Sequence, residues 1–138
     1  MNTEPAPFAP SKGVLLDTSV LIPVLRGDWS LLQNLARFDE AYTCVPVLAE
    51  LLVGLAQRAY PVVQEQRLKI VLQRVDLLNC DAHTARRYAE LETRLRSQGT
   101  PIPINDVWIA AIARQHHLTL ATRDQHYQRI PEIEVELW

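Results

Sequence analysis

The stretch G-V-L-L-D-T-S-V-L-I, residues 13–22, is the part of the sequence that decides the fold. A short apolar run, Val14–Leu16, leads directly into a carboxylate, Asp17, and the chain then becomes apolar again. The run before Asp17 is typical of a buried strand, and the residues from Val20 to Arg26 predict a helix. A charge at that junction has two interpretations: it caps the helix, or it belongs to a site.

Strand-like and helix-like segments alternate along the rest of the chain. Four further strands are predicted, over Ala41–Val45, Val75–Cys80, Leu118–Ala121 and Ile133–Leu137. Helices are predicted after Asp28 (Leu31, Leu32, Leu35 and Phe38 on one face), from Pro46 to Gln57, from Pro61 to about Gln73, after Asp81 (Ala85, Tyr88, Leu91 and Leu95 on one face) and over Ile104–His116. This alternation predicts a three-layer α/β domain built on a parallel sheet.

Length and composition describe an ordinary globular protein. With 138 residues, 48% of them hydrophobic, we expect one domain over residues 12–138, preceded by a loose, proline-containing tail over residues 1–11. The net charge of -2 lacks the excess of basic residues that passive nucleic-acid binders usually carry. Any polyanionic partner must therefore be held by something other than bulk charge.

Cysteine usage and hydropathy bear on the compartment. Cys44 and Cys80 both lie in apolar surroundings and are far apart in sequence, which predicts buried, reduced thiols. The first residues lack the pattern of a signal peptide, and no stretch approaches the ~20 apolar residues that span a bilayer. We therefore expect a cytoplasmic protein.

Four acids stand out by their positions in this scheme: Asp17, Glu50, Asp106 and Asp124. Asp17 and Asp124 follow strands, Glu50 lies inside an apolar helix, and Asp106 lies at the start of another. Each has an ordinary structural explanation: a helix cap for Asp17, a favourable first-turn position for Asp106, a turn for Asp124 and a partly wet helix face for Glu50. In an open parallel sheet, however, all four can converge at the carboxyl ends of the strands.

Clustered carboxylates need a counter-ion. Two of them ~4 Å apart repel by roughly 4 kcal/mol at an effective dielectric constant of about 20. Oxygen ligands favour hard cations such as Mg²⁺ or Mn²⁺. Zinc is disfavoured, because neither cysteine nor histidine accompanies the acids at zinc-like spacing. The four histidines, His83, His116, His117 and His126, are interpreted as solvated surface residues.

Four motifs in order carry a resemblance to a known family. They are L-L-D-T-S-V-L-I (15–22), V-L-A-E-L-L-V-G (47–54), I-N-D-V-W-I-A-A-I-A (104–113) and L-A-T-R-D (120–124). Together they resemble a PIN domain, and most of all the toxin of a VapBC-type toxin–antitoxin pair. The resemblance implies an α/β/α fold with five parallel strands in the order 3-2-1-4-5.

The same resemblance implies an activity, a site and partners. The activity is that of an Mg²⁺- or Mn²⁺-dependent endoribonuclease in which Asp17, Glu50, Asp106 and Asp124 form the catalytic, metal-holding quartet. Thr18 and Thr122 match supporting hydroxyl residues, and Thr122 would orient Asp17. The implied partners are RNA, a VapB-type antitoxin and a second copy of the chain.

Two surfaces are predicted around this site. Arg123 and Arg26 are candidates for contacting RNA phosphates, with Arg58 and Arg114 as further rim charges. The antitoxin groove is predicted to be lined by Val20, Leu21, Leu25, Trp29 and Leu32, unless these residues are simply core; Trp29 is expected to be partly exposed. The sequence departs from the family at Val47, where many relatives have a hydroxyl residue, and at Gln125–Tyr127, where an aromatic often comes sooner.

Two rival functions remain at this stage. A receiver-like signalling domain also uses Mg²⁺ and strand-end aspartates, but it needs paired acids after the first strand and an aspartate ending the third. Here the first strand ends in one acid, and Asp81 is better explained as a helix cap. The other rival is a non-catalytic RNA-binding or scaffold module of the same fold, against which the complete quartet argues.

Overall fold

The computed structural model describes residues 13–58 and 61–138 and contains one five-stranded sheet. The strands are β1 (Gly13–Leu16), β2 (Glu40–Cys44), β3 (Asp76–Leu78), β4 (Thr119–Thr122) and β5 (Val135–Leu137). All neighbours pair in parallel, in the order β3-β2-β1-β4-β5. The predicted fold class and strand order are therefore confirmed.

Five α-helices and two 3₁₀ segments connect the strands and complete a three-layer arrangement. The helices are α1 (Thr18–Leu25), α2 (Val45–Gln57), α3 (Val62–Arg74), α4 (Ala82–Ser97) and α5 (Ile104–His116); the 3₁₀ segments are Ser30–Arg37 and Gln125–Arg129. Helix α1 packs against α2 and α3, and α4 packs against α5. As predicted, Asp81 begins α4, where its carboxylate and the Thr84 side chain form a reciprocal capping box.

The central strand explains why residues 13–22 are so apolar. Strand β1 lies between β2 and β4, and all four of its residues are buried, as expected for a strand covered on both faces. The backbone N–H of Asp17 donates to the Ala121 carbonyl at 3.0 Å, so pairing with β4 extends one residue past the strand. Asp17 therefore stands at the point where strand order reverses, the usual position of a site in such sheets.

Two helix predictions need correction. The segment after Asp28 is a 3₁₀ helix, Ser30–Arg37, because its leucines are only half-buried and give an α-helix little packing to rest on. Asp28 instead accepts hydrogen bonds from the backbone N–H and hydroxyl of Ser30. In α4, Ala85 is exposed, and Thr84 lies on the buried face with Leu91 and Leu95.

The predicted thiols and tail have different outcomes. Cys44 is buried, and burial raises its pKa to about 12, but Cys80 is exposed, so the prediction of two buried cysteines is half wrong. Cys80 follows the short edge strand β3, which has little to cover it.

The predicted tail, residues 1–11, lies outside the described residues. In the described part of the chain, no helix is long and apolar enough to cross a bilayer.

Candidate active site

Asp17 is a buried carboxylate held by hydroxyl groups. Its residue is 2% exposed, and its side chain does not cap α1 although Asp17 is the N-cap residue. One oxygen, Oδ2, accepts hydrogen bonds from Thr122 Oγ1 at 2.7 Å and Ser19 Oγ at 2.9 Å. The other, Oδ1, lies 3.5 Å from the Tyr127 hydroxyl, at the outer limit of a hydrogen bond. The carboxylate is thus oriented mainly through Oδ2, the oxygen that accepts both of the shorter hydrogen bonds.

Ser19 and Thr122 also fix the chain that leaves β4. The backbone N–H of Arg123 donates to Ser19 Oγ at 2.9 Å, and that of Asp124 donates to Thr122 Oγ1 at 3.0 Å. The two hydroxyl oxygens lie 3.2 Å apart. Asp124 is therefore linked to Asp17 through Thr122, and it begins the second 3₁₀ segment without capping it through its side chain.

Glu50 lies on an exposed face of α2, although the apolar residues around it in sequence suggest burial. Its neighbours Leu52 and Val53 are themselves exposed. One oxygen, Oε1, accepts hydrogen bonds from Thr18 Oγ1 at 3.1 Å and Asn105 Nδ2 at 2.5 Å. Because Thr18 follows Asp17 and Asn105 precedes Asp106 in sequence, these contacts bring Glu50 to the same sheet edge as both aspartates.

Asp106 lies in the first turn of α5, where the helix dipole favours an anion. Its side chain is 14% exposed, and Oδ2 lies 2.7 Å from His126 Nε2. The ring of Tyr127 contacts that of His126 and so lies beside this pair. His126 is half-buried, so its interpretation as a solvated residue is wrong; the 3₁₀ turn after β4 carries it back over the start of α5.

The electrostatics show that these acids share one environment. Although Glu50 is exposed as a residue, its carboxylate is partly buried, and this partial burial raises its pKa. Hydrogen bonds from Thr18 and Asn105 oppose this rise, and the charges of Asp106 and Asp17 add to it. Burial also raises the pKa of Asp106, opposed by Tyr127 and His126 and reinforced by Asp17. Within residues 13–58 and 61–138, no three acidic, histidine or cysteine side chains are arranged as a ready-made metal-ligand set. The carboxylates face hydroxyl, amide and imidazole groups in this arrangement.

Four residues at the site were missed by sequence reasoning: Ser19, Asn105, His126 and Tyr127. Ser19 and Asn105 lie inside the quoted motifs, next to residues that were singled out, so their positions offered a signal. His126 and Tyr127 offered none, because their approach to Asp106 depends on the path of a 3₁₀ turn.

The predicted antitoxin groove is not one surface. Val20 and Leu21 are fully buried core residues of α1. Leu25 borders a small cleft beside Glu50, formed with Ile22, Leu51, Leu55 and Arg58. Trp29, which is 36% exposed, and Leu32 line a separate pocket with Val71 and Arg74 of α3.

The arginines predicted to contact RNA lie on the surface near this edge. Arg26 and Arg123 are both exposed. Hydrogen bonds from Ser30 are the main cause that lowers the pKa of Asp28, and the positive charge of Arg123 is a smaller one. Arg123 therefore lies on the same side of the molecule as Asp28, which follows the end of α1. Arg123 is also tied by its backbone to Ser19.

Comparison with known proteins gives this fold and site a family. A family model of the PIN domain matches residues 14–133, which include all four acids. The chain therefore belongs to the PIN domain family, and the resemblance predicted from its motifs is confirmed.

Two similar proteins and one solved structure indicate which group of PIN-domain proteins the chain resembles. The chain is 33% identical over 130 residues to ribonuclease VapC4 of Mycobacterium tuberculosis, covering 88% of this chain and 93% of that protein. It is 37% identical over 123 residues to ribonuclease VapC5 of the same organism, covering 86% and 87%. Among solved structures, VapBC2 from Rickettsia felis bound to a promoter DNA fragment superposes with a TM-score of 0.84 at 28% identity, covering 91% of this chain and 98% of that one.

Proposed function

We propose that the chain is a metal-dependent endoribonuclease and the toxin of a type II toxin–antitoxin pair. The observation that carries this proposal is the position of Asp17. A buried carboxylate at the switch point of a parallel sheet, oriented through one oxygen and electrostatically coupled to Glu50 and Asp106, is costly unless a cation compensates it. The VapC ribonucleases to which the chain is similar support RNA as the substrate.

The residues at this edge fit a hard divalent cation such as Mg²⁺ or Mn²⁺ by the chemistry of their donors. Asp17, Asp106 and Asp124, with Glu50 directly or through water, would hold the ion through carboxylate oxygens alone. Burial raises the pKa of Glu50 and of Asp106, and the charges of neighbouring acids add to this rise, so a bound cation would stabilise the ionised form of both carboxylates. When bound, the ion supplies Lewis acidity that makes water a better nucleophile and offsets phosphate charge.

The protein's own hydroxyl groups are committed to positioning. Thr122 and Ser19 donate to Asp17, and Thr18 donates to Glu50. Because the proposal assigns both carboxylates to the cation, they are not free to act as general bases that would turn these hydroxyls into nucleophiles. Water is therefore the proposed nucleophile. The hydroxyl and amide donors keep the carboxylates oriented, and the cleft beside Glu50 exposes that carboxylate to an approaching phosphate.

Substrate and partner contacts surround the acids. Arg123 and Arg26 would hold RNA phosphates at the rim of the site. A VapB-type antitoxin is the proposed protein partner, by similarity to the VapBC2 complex. A second copy of the chain is proposed as well, on the family resemblance of the motifs alone. A basic antitoxin side chain could enter the cleft beside Glu50 and compensate the acids. We place this activity in the cytoplasm, where cellular RNA and an antitoxin are both present.

The test is cleavage of structured RNA by the purified chain with Mg²⁺ or Mn²⁺, with and without chelator, beside Asp17→Asn. Circular dichroism establishes that the variant is folded. We expect cleavage that disappears with chelator and in the folded variant. Cleavage that persists equally in Asp17→Asn points to a contaminating nuclease. RNA binding without any metal-dependent cleavage would instead favour the non-catalytic RNA-binding or scaffold module.

A further inference from the structure

Tyr127 is a fully buried tyrosine placed against the acidic site. Its residue is 0% exposed, in the 3₁₀ segment three residues after Asp124. Its ring contacts that of His126, with centroids 4.8 Å apart. A phenylalanine would supply the same apolar ring, so the hydroxyl group is the feature that needs an explanation.

A buried hydroxyl is unfavourable unless it is hydrogen-bonded. The Tyr127 hydroxyl lies 3.5 Å from Asp17 Oδ1, and the ring of Tyr127 contacts His126, whose Nε2 lies 2.7 Å from Asp106 Oδ2. These two acids come from different parts of the fold: one ends β1 and the other begins α5. Tyr127 therefore touches Asp17 directly and lies next to the side chain that contacts Asp106.

The other donors leave Asp17 Oδ1 to Tyr127. Thr122 and Ser19 bind Asp17 through Oδ2, the oxygen that does not face Tyr127. His126 lies against Oδ2 of Asp106. The buried carboxylate of Asp17 and the half-buried carboxylate of Asp106 repel each other, and a neutral donor to Asp17 stabilises its negative charge without adding a charge that would compete with a cation.

We infer that Tyr127 is a positioning residue of the metal site, whose hydroxyl orients the Asp17 carboxylate through Oδ1. This inference rests on the proposed metal-dependent function. The hydroxyl acts through that carboxylate rather than on the substrate. Groups that orient metal ligands in this way typically change metal affinity 10–100-fold when they are removed.

The test is Mn²⁺ binding by Tyr127→Phe, measured by titration calorimetry on the chelator-stripped full chain without RNA. The matched control is Tyr42→Phe, which also removes a phenol bonded to a carboxylate, Glu40 Oε2 at 2.6 Å. Tyr42 lies in β2, and Glu40 is the first residue of that strand. This pair therefore lies towards the amino ends of the strands, whereas the four acids lie at the carboxyl ends. We expect the dissociation constant for Mn²⁺ to rise about 10–100-fold in Tyr127→Phe and to change less than about twofold in Tyr42→Phe.

The outcomes separate this inference from the function on which it rests. Equal or tighter Mn²⁺ binding by a folded Tyr127→Phe overturns the positioning role while the proposed function stands. A lower melting temperature in chelator with unchanged Mn²⁺ affinity also overturns it, because the hydroxyl would then be only structural. If the wild-type chain binds no Mn²⁺, the proposed metal dependence fails and the role of Tyr127 fails with it.

Discussion

Asp17 and Glu50 lie at the same sheet edge but are held in opposite ways. Asp17 is buried at the end of a strand and is oriented by hydroxyls from α1 and β4. Glu50 is exposed on a helix and is oriented by Thr18 and Asn105. The position of Asp17 is set by the sheet itself, whereas that of Glu50 depends on two side chains at a solvated surface. This contrast predicts which changes the site tolerates.

The largest effect is expected when each acid loses its charge. Asp17→Asn should reduce kcat for RNA cleavage by about 100-fold or more, beyond the effect of a typical supporting residue, because among residues 13–58 and 61–138 no other fully buried acid stands at the switch point. Glu50→Gln should cost only about 10-fold, since water can supply the lost oxygen contact at an exposed position. Single-turnover cleavage at saturating Mn²⁺ measures both. Equal losses would show that burial does not distinguish the two acids.

The hydroxyls that hold these acids should follow the same order. Thr122→Val removes a donor from a buried carboxylate and an acceptor from the Asp124 N–H, so unfolding should become easier by about 1.5–3 kcal/mol and cleavage slower by about 10–100-fold. Thr18→Val should cost about 1 kcal/mol or less, because Asn105 still donates to Glu50. Urea unfolding in chelator compares them. A larger loss in Thr18→Val would contradict the comparison.

The sequence predicts the fold better than it predicts the site. The fold follows from the spacing of apolar residues, whereas the contacts of the site depend on the course of the backbone in turns. The apolar runs that lead to Asp17 and Thr122 predict the strands β1 and β4, because a parallel sheet buries whole strands. Asp17 could also be expected at the switch point once the strand order was known. For Glu50 the sequence leaves both burial and a partly wet helix face open, and only the structure decides between them, since Leu52 and Val53 face outward.

The turn after β4 is the clearest case of a contact that sequence cannot give. His126 and Tyr127 reach Asp106 because residues Gln125–Arg129 form a 3₁₀ segment, and no local pattern specifies where its side chains point. Similarly, the leucines after Asp28 have helical spacing, but the degree of burial that would make them an α-helix is a property of the packed molecule.

Asp106 tests the electrostatic side of the comparison. Its pKa is raised in the folded state, chiefly by burial, so its carboxyl group favours folding when protonated and disfavours it as pH rises through the folded-state pKa. In chelator, Asp106→Asn should therefore be more stable than wild type at pH 7, by on the order of 1 kcal/mol. The difference should shrink as the pH falls and the wild-type carboxyl group becomes protonated.

Urea unfolding of both proteins between pH 4 and 7.5 measures that difference, and taking it between variant and wild type cancels the titration of distant groups. Saturating Mn²⁺ at pH 7 should reverse the order, because only wild type keeps the full ligand set. A variant that is less stable than wild type across the whole range would mean that the hydrogen bonds to Asp106 outweigh its burial.

The smallest effect is expected at the rim, where Arg123 and Arg26 are compared as substrate contacts. Arg123 adjoins Asp124 and is tied by its backbone to Ser19, whereas Arg26 ends α1. If each contacts one phosphate, Arg123→Gln and Arg26→Gln should raise KM a few-fold with kcat nearly unchanged, and each should reduce the slope of log affinity against log salt by about 0.7 for single-stranded RNA.

Because the Arg123 backbone is fixed to the hydroxyl that also holds Asp17, its phosphate contact should be better ordered, and its substitution should have the larger effect. RNA binding to catalytically inactive Asp17→Asn at several salt concentrations measures this. An unchanged salt slope in both variants would show that these arginines are ordinary surface charges and that the phosphates are held elsewhere.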